Sequence, residues 1–243
     1  MEVADRIRRL GAELVNWFIV EDGGKLILVD AGNPKQYDQL PAALASLGWS
    51  MADIEAVVLT HAHGDHLGSS ARIKDESGAA VRVHHGDAAL ARGEGEREYE
   101  RHYMRDLTRL YAWKALLFFL RGGALKAPPV AELGTFDDGE VLDLPGRPRV
   151  LHAPGHTDGS SCLYLKERKV LFSGDSLVTL NIVTGATGPR IMPGSFNKDS
   201  PQSLRSLSRL EGIQADVVLP GHGEPWTGGV TEALRLARDI GPS

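Results

Sequence analysis

The chain has 243 residues and a single cysteine, Cys162. No disulfide can form within it, so a small disulfide-stapled scaffold is excluded. Long apolar runs are absent too. The most hydrophobic stretch, Ala115 to Leu120, falls far short of the roughly 20 residues that span a bilayer. Basic charge is not in excess: 27 Lys and Arg stand against 32 Asp and Glu, a net charge of −5. Nonspecific binding to nucleic acid or to an anionic membrane favours the opposite sign, so neither is expected as a partner, although a local basic groove stays compatible with this balance. The start, Met1-Glu2-Val3-Ala4-Asp5-Arg6, has no apolar run behind a basic opening, so no secretory leader is expected. With the lone cysteine, this points to a cytoplasmic protein.

What the chain has in plenty is glycine, 28 residues, a sign of many tight loops. Hydrophobic residues at 42% and charged residues at 24% are ordinary globular values. Length suits one large domain or two small ones, and the reading is one domain over 1–243. Apolar runs at Leu14 to Val20 and Leu26 to Val29 predict a hairpin around Gly23-Gly24. Leu40, Leu44 and Leu47 have helical spacing up to Gly48. Ala56 to Leu59 and Ala79 to Val83 predict buried strands, with a helix between them after His66. The segment 86–129 predicts a helical insertion. Strands are expected again at Glu140 to Leu144, Arg149 to His152, Cys162 to Leu165, Val170 to Ser173 and Asp216 to Leu219. Ser200 and Pro201 predict a helix start, with Ser200 as N-cap, and Thr227 to Ile240 a last helix.

The strongest chemical signal is Thr60-His61-Ala62-His63-Gly64-Asp65-His66, directly after a predicted strand. Imidazole nitrogen and carboxylate oxygen are good ligands for divalent metals. In an extended turn, His61 and His63 point the same way. The tighter turn through Gly64 aims Asp65 and His66 at a second point nearby. The spacing therefore suggests two adjacent metal positions. Three further strand ends each offer one more ligand beside glycine: His156 in Pro154-Gly155-His156-Thr157, Asp175 in Ser173-Gly174-Asp175, and His222 in Gly221-His222-Gly223. Glycine lets the backbone pass close to an ion.

This set, with Asp30 in Val29-Asp30-Ala31-Gly32, resembles the metallo-β-lactamase superfamily, and its five sequence blocks appear in order between about Leu14 and Pro225. The resemblance implies an α/β fold, a four-layer αββα sandwich with the metals at one end between the sheets. It implies that His61, His63 and His156 hold one metal, that Asp65, His66 and His222 hold the other, and that Asp175 bridges them. Asp30 matches a position that supports the ligands, and as a residue alone it reads equally as a turn-stabilising Asp. The implied cofactors are two divalent ions, zinc first, with iron or manganese open to the same ligands. The implied reaction is hydrolysis of a small carbonyl ester, lactone or thioester by a metal-bridging hydroxide, with Asp65 also passing a proton to the leaving group.

The bridging Asp175 resembles the glyoxalase II, lactonase and RNase Z branches rather than true β-lactamases. Departures narrow this further. Few residues follow His222 in this sequence, so the glutathione-binding extension of glyoxalase II is not expected, and Val178 stands where acyl-homoserine lactonases carry tyrosine. The alternative is a mononuclear iron enzyme resembling persulfide dioxygenases, which share the motif at 154–159 but lack Gly221-His222-Gly223. In the insertion, Arg97, Arg101, Arg105 and Arg109 repeat every four residues, as one row on a helix. With Trp113 and Phe118, the segment reads either as a substrate lid for an acyl group or as simple packing. The expected partner is a small, acyl-bearing molecule, and the oligomeric state, monomer or homodimer, stays open. His84, His85, His102 and His152 read as surface or core histidines, and Cys162 as a small buried apolar residue. The loop Thr179 to Asn197, with Asn181, Arg190 and Lys198 in or beside it, is expected to border the mouth of the site.

Overall fold

The structure, a computed structural model, describes residues 1–12, 14–100 and 103–242. Seven strands, β1 (Glu2–Ala4), β2 (Ile7–Ala12), β3 (Val15–Asp22), β4 (Lys25–Val29), β5 (Ile54–Val58), β6 (Ala80–His84) and β7 (Gly134–Phe136), lie in chain order in one sheet. Those from β1 to β4 pair antiparallel, and those from β4 to β7 parallel. Next come β8 (Arg149–His152), β9 (Ser161–Leu165), β10 (Val170–Gly174), β11 (Val178–Leu180), β12 (Thr187–Arg190) and β13 (Val217–Pro220). The second sheet has the order β13-β10-β9-β8, with β13 parallel to β10, while β11 and β12 form a separate ribbon. The helices are α1 (Gln39–Leu47), α2 (Ser70–Ser77), α3 (Ala88–Ala91), α4 (Leu110–Gly122), α5 (Ser200–Ser206) and α6 (Val230–Ile240).

Period-two alternation sorts the strands' apolar side chains into layers. Phe18, Val20, Ile27, Val29, Ala56 and Val58 face Val150, Leu163, Leu165, Val170, Phe172 and Leu219 of the other sheet. The intervening Trp17, Ile19, Leu26, Leu28 and Val57 point outward and are covered by Leu40 and Leu44 of α1, Ile73 of α2 and Ala88 of α3. Outward residues of the second sheet, Leu151, Cys162, Tyr164 and Leu171, pack on Ala233, Leu234 and Ala237 of α6. The result is the four-layer αββα sandwich that the motifs implied. Cys162 is fully buried, as expected, and burial pushes its thiol up to about 12.

Several local expectations need correction. The strand pair β1–β2 escaped notice because Arg6, Arg8 and Arg9 mask its alternation. The strand expected at Glu140 to Leu144 is reduced to one bridge, Val141 to Arg149, because Gly139 and Gly146 turn the chain at positive φ on either side. Asp199, not Ser200, caps α5 by accepting from the Gln202 amide at 2.7 Å. The row of arginines on one helix does not form. Gly93, at positive φ, ends the turn after α3. Arg97 lies in irregular chain, Arg105 in a 3-10 segment, Tyr103–Thr108, and Arg109 is extended as the cap of α4. Arg101 and His102 lie outside the described residues. Among the described residues, no helix is long and apolar enough to cross a membrane.

Candidate metal centre

Every motif residue singled out from sequence sits just beyond the carboxyl end of a strand. His61, His63, Asp65 and His66 follow β5, His156 follows β8, Asp175 follows β10, and His222 follows β13. The parallel pairs β4–β5 and β10–β13 bring these ends to the same edge of the sandwich, the edge where α/β sheets place ligands.

There the seven side chains converge. His156 Nε2 lies 2.9 Å from His63 Nδ1 and 3.1 Å from His61 Nε2. Asp65 Oδ2 lies 3.6 Å from both His66 Nε2 and His222 Nε2. Asp175 stands between the two groups. Its Oδ2 is 3.3 Å from His156 Nε2 and 3.0 Å from His222 Nε2, and its Oδ1 is 3.5 Å from His66 Nε2. The imidazoles and Asp175 are buried, and Asp65 is partly open.

Two observations test whether this set fits metal. First, His66 Nε2 and Asp175 Oδ1 are buried with no hydrogen-bond partner, an expensive arrangement unless something else satisfies them. Second, the electrostatics call for positive charge. Burial lowers His66, but Asp175, Asp65 and Asp30 outweigh it and push it up to about 10. Burial likewise opposes ionisation of Asp175, and His222 and His66 overcome it, holding the carboxyl well below its usual range. Burial first, then like-charged neighbours, drives His61 and His63 well below their ordinary value, so both present neutral nitrogen. Neutral imidazoles beside ionised carboxylates are the donors a divalent cation takes.

The ring nitrogens turned away from the centre are held too. His66 Nδ1 bonds Asp30 Oδ2 at 2.9 Å, and Asp30 also accepts from the Thr60 amide at 2.8 Å. Asp30 thus orients a histidine and ties a turn at once. His61 Nδ1 meets Thr60 Oγ1 at 3.1 Å, His156 Nδ1 meets Asn197 Oδ1 at 3.2 Å, and His222 Nδ1 donates to the Leu14 carbonyl. Such partners fix tautomer and ring direction. Gly221 cannot be replaced freely, since a Cβ there would lie 2.2 Å from Asp175 Oδ1.

Sequence reasoning missed Asp87. Its buried carboxylate accepts from the Ala62 amide (2.9 Å), the Gly159 amide (2.7 Å) and Thr157 Oγ1 (2.8 Å). It therefore ties the turn bearing His61 and His63 to the loop bearing His156. The signal was present: Gly86-Asp87 follows β6 as the other motifs follow their strands. The role of Asn197 behind His156 was missed as well. His84, His85 and His152 stand apart from the seven. His84 is buried, stacking on His152 with centroids 3.9 Å apart, and His85 bonds Asp137 on the surface. Of the loop side chains expected at the mouth, Arg190 turns onto its own ribbon's carbonyls and Lys198 pairs with Glu98 and Asp158.

A cavity of about 620 Å³ opens over Asp65, Asp175 and His222. Its walls are mostly apolar: Leu116 and Phe119 of α4, with Ile182, Met192 and Phe196 from the loop after Asp175. Tyr99 and Tyr103 reach it from the other side. Trp113 and Phe118 do not line this cavity. Trp113 Nε1 donates to the Leu107 carbonyl at the surface, and Phe118 packs edge-on to Phe119.

Comparison with known proteins agrees with this geometry. The family model described as the metallo-beta-lactamase superfamily matches residues 10–222. Human acyl-coenzyme A thioesterase MBLAC2 is 32% identical over 186 residues, covering 74% of this chain and 59% of that protein. Probable metallo-hydrolase YflN of Bacillus subtilis is 25% identical over 239 residues, covering 93% of this chain and 87% of that protein. A solved structure of TTHA1623 in a di-iron-bound form is 29% identical with a TM-score of 0.63, covering 95% of this chain and 97% of that one. The chain spans little more than half the length of several curated relatives, 55% for one from Caenorhabditis elegans and 59% for human MBLAC2. With the match to residues 10–222 and the sandwich described above, the chain belongs to the metallo-beta-lactamase superfamily.

Proposed function

We propose that the protein binds two divalent metal ions and hydrolyses a thioester, ester or lactone whose acyl group lies in the apolar cavity. The observation that carries this reading is the pair of buried atoms without a hydrogen bond, His66 Nε2 and Asp175 Oδ1, inside a set of seven convergent side chains with metal-ligating atoms. His61, His63 and His156 would hold one ion, Asp65, His66 and His222 the other, and Asp175 both. The ions would supply Lewis acidity and make water acidic near neutral pH, around 7.

The chain's own residues do the rest. Leu116, Phe119, Ile182 and Met192 bind the acyl chain and exclude water. Asp65, the partly open carboxylate of the set, faces the cavity and is placed to take a proton and return it to the departing thiol or alcohol. Such a donor raises the rate because the leaving group is protonated as its bond breaks. Zinc is the metal of choice for this ligand set, and iron suits it too. Of the cleavable classes, thioesters come first, because MBLAC2 carries that name. The free, buried Cys162 suits a reducing cytoplasm. A one-iron oxygenase would leave Asp65, His66 and His222 without a role.

Metal content and chain-length dependence test the reading. Elemental analysis is expected to find roughly two ions per chain. The kcat/KM for straight-chain acyl thioesters should rise about fourfold per added methylene until the cavity is full, from roughly 0.8 kcal/mol per buried CH₂. Phe119→Ala should flatten that rise. One iron per chain, unaffected by His222→Ala, with oxygen consumed on persulfides, would overturn the proposal.

A further inference from the structure

The helix that walls the cavity shows its other face to solvent, and that face is apolar. Leu110, Trp113, Leu117 and Leu120 are 88%, 46%, 45% and 49% exposed. Their spacing puts them on one side of α4, while Ala112, Ala115 and Phe119 on the opposite side are buried. The Trp113 indole N–H is already satisfied by Leu107, so the open ring presents hydrocarbon. Met104 and Leu125 are exposed too, at 74% and 58%, and both line the cavity, as does Leu116 of α4. The same helix thus carries the exposed stripe and, through Leu116 and Phe119, part of the cavity wall. Contiguous apolar surface of this kind marks an interaction site.

Charge selects the occupant. The whole chain carries −5, yet residues 107–131 hold Arg109, Lys114, Arg121 and Lys126 and not one Asp or Glu. All four are exposed. Lys114 and Arg121 flank the stripe one residue on from Trp113 and Leu120. A second copy docked face to face would set Arg109, Arg121 and Lys126 against the same three cations, with no acid within residues 107–131. An anionic lipid surface takes both features: the apolar stripe enters the acyl boundary while the cations meet the headgroups.

We propose that α4 and its flanks dock this enzyme onto an anionic membrane surface, lying on it rather than crossing it, with the cavity mouth facing the lipid. Net charge alone argued against such a partner, because it averages away a basic patch on an otherwise acidic protein. The proposal deepens the acyl-hydrolase reading, since an apolar substrate would pass from bilayer to cavity without crossing water. Its test is independent of that reading.

The test is co-sedimentation of the metal-loaded protein with phosphatidylcholine vesicles, with and without phosphatidylserine. Binding to the anionic vesicles should be at least about tenfold stronger, since each basic residue near a charged surface adds roughly fivefold. Trp113 fluorescence should shift to the blue on binding, and Trp113→Phe should lose that shift. Leu117→Glu, and separately Arg121→Glu with Lys126→Glu, should each weaken sedimentation at least about tenfold. These side chains touch no proposed ligand, so hydrolysis of a short water-soluble thioester by the variants should be unchanged. Equal or no binding to both vesicle types would overturn the proposal. So would a concentration-dependent dimer of the wild type that Leu117→Glu dissociates, which would assign the stripe to a second copy. The sedimentation readout needs no substrate, so a failed thioesterase assay leaves it standing, and the reverse also holds.

Discussion

Replacing Asp87 should damage the metal centre from outside it. The carboxylate touches none of the seven converging residues, but three donors depend on it: the Ala62 amide, the Gly159 amide and the Thr157 hydroxyl. Asp87→Ala leaves these groups unpaired in a buried place, at about 1–3 kcal/mol each. Thr157 recovers part, because its hydroxyl also lies 2.8 Å from Ser160 Oγ. The sum is about 4 kcal/mol. At roughly 2–4 °C per kcal/mol for a chain of this size, melting falls by about 8–16 °C. Asp87→Asn keeps the volume and one acceptor but turns an amide N–H toward Ala62 or Gly159. It loses the charge as well, and burial already pushes the Asp87 carboxyl upward, so that loss is not all cost. About 2 kcal/mol, or roughly 4–8 °C, is expected. The more telling consequence is metal affinity. Asp87 holds the His61–His63 turn against the His156 loop, and removing such a support weakens metal binding by about 10–100-fold. Thermal melts and a chelator competition on wild type and Asp87→Asn measure both. Unchanged melting would refute the hydrogen-bond argument. Lower melting with unchanged affinity would refute the claim that the carboxylate couples the two loops.

Two further outcomes follow. Gly221→Ala puts a methyl 2.2 Å from Asp175 Oδ1 and 2.6 Å from His66 Cε1. It should release metal in elemental analysis at the position shared by His66, His222 and Asp175, while Gly212→Ala, with nothing near its Cβ, should retain full metal; equal metal in the two variants would contradict the tight approach. His84 gives a pH signature. Burial first, then His152 and His85, lowers it from 6.5 to about 4, so between those values the unfolded chain binds the extra proton. Stability should therefore fall as pH drops below 6.5, by up to about 1.4 kcal/mol per unit for that one proton. In urea unfolding of metal-free protein, His84→Asn should show a shallower pH slope than wild type, and parallel slopes would exclude the His84 contribution.

The convergence of the seven motif residues was legible in the chain because each stands alone at a strand end beside glycine or within one short turn. Layering was legible too, since Trp17 to Val20 and Leu26 to Val29 are apolar on both faces, as a sheet covered on both sides requires. The supports were less so. Asp87 bonds the backbone of Ala62 and Gly159, 25 and 72 residues away. Backbone donors leave no mark in side-chain identity, so no spacing rule finds them. The insertion misled for another reason. Arginine at every fourth position has helical spacing, but Arg97 lies in irregular chain, Arg105 in a 3-10 segment, and Arg109 is extended as the cap of α4. Apolar periodicity from Leu110 onward was the better guide, and α4 follows it.

His222 is held by residues far away in sequence. Its Nδ1 meets the carbonyl of Leu14, 208 residues earlier, and Asn16 Nδ2 clasps the carbonyls of Pro220 and Gly223 on either side. Closing so long a loop is a late event in folding, because its entropy is lost before the contact rewards it. Six of the seven converging side chains, from His61 to Asp175, precede His222 by at least 47 residues. An ion taken up by Asp65, His66 and His222 would then be coupled to this late closure. An ion held there would clasp the turn after β5 to the turn after β13, and a chain cut short before Gly221 would lose both His222 and its bonds to the first sheet.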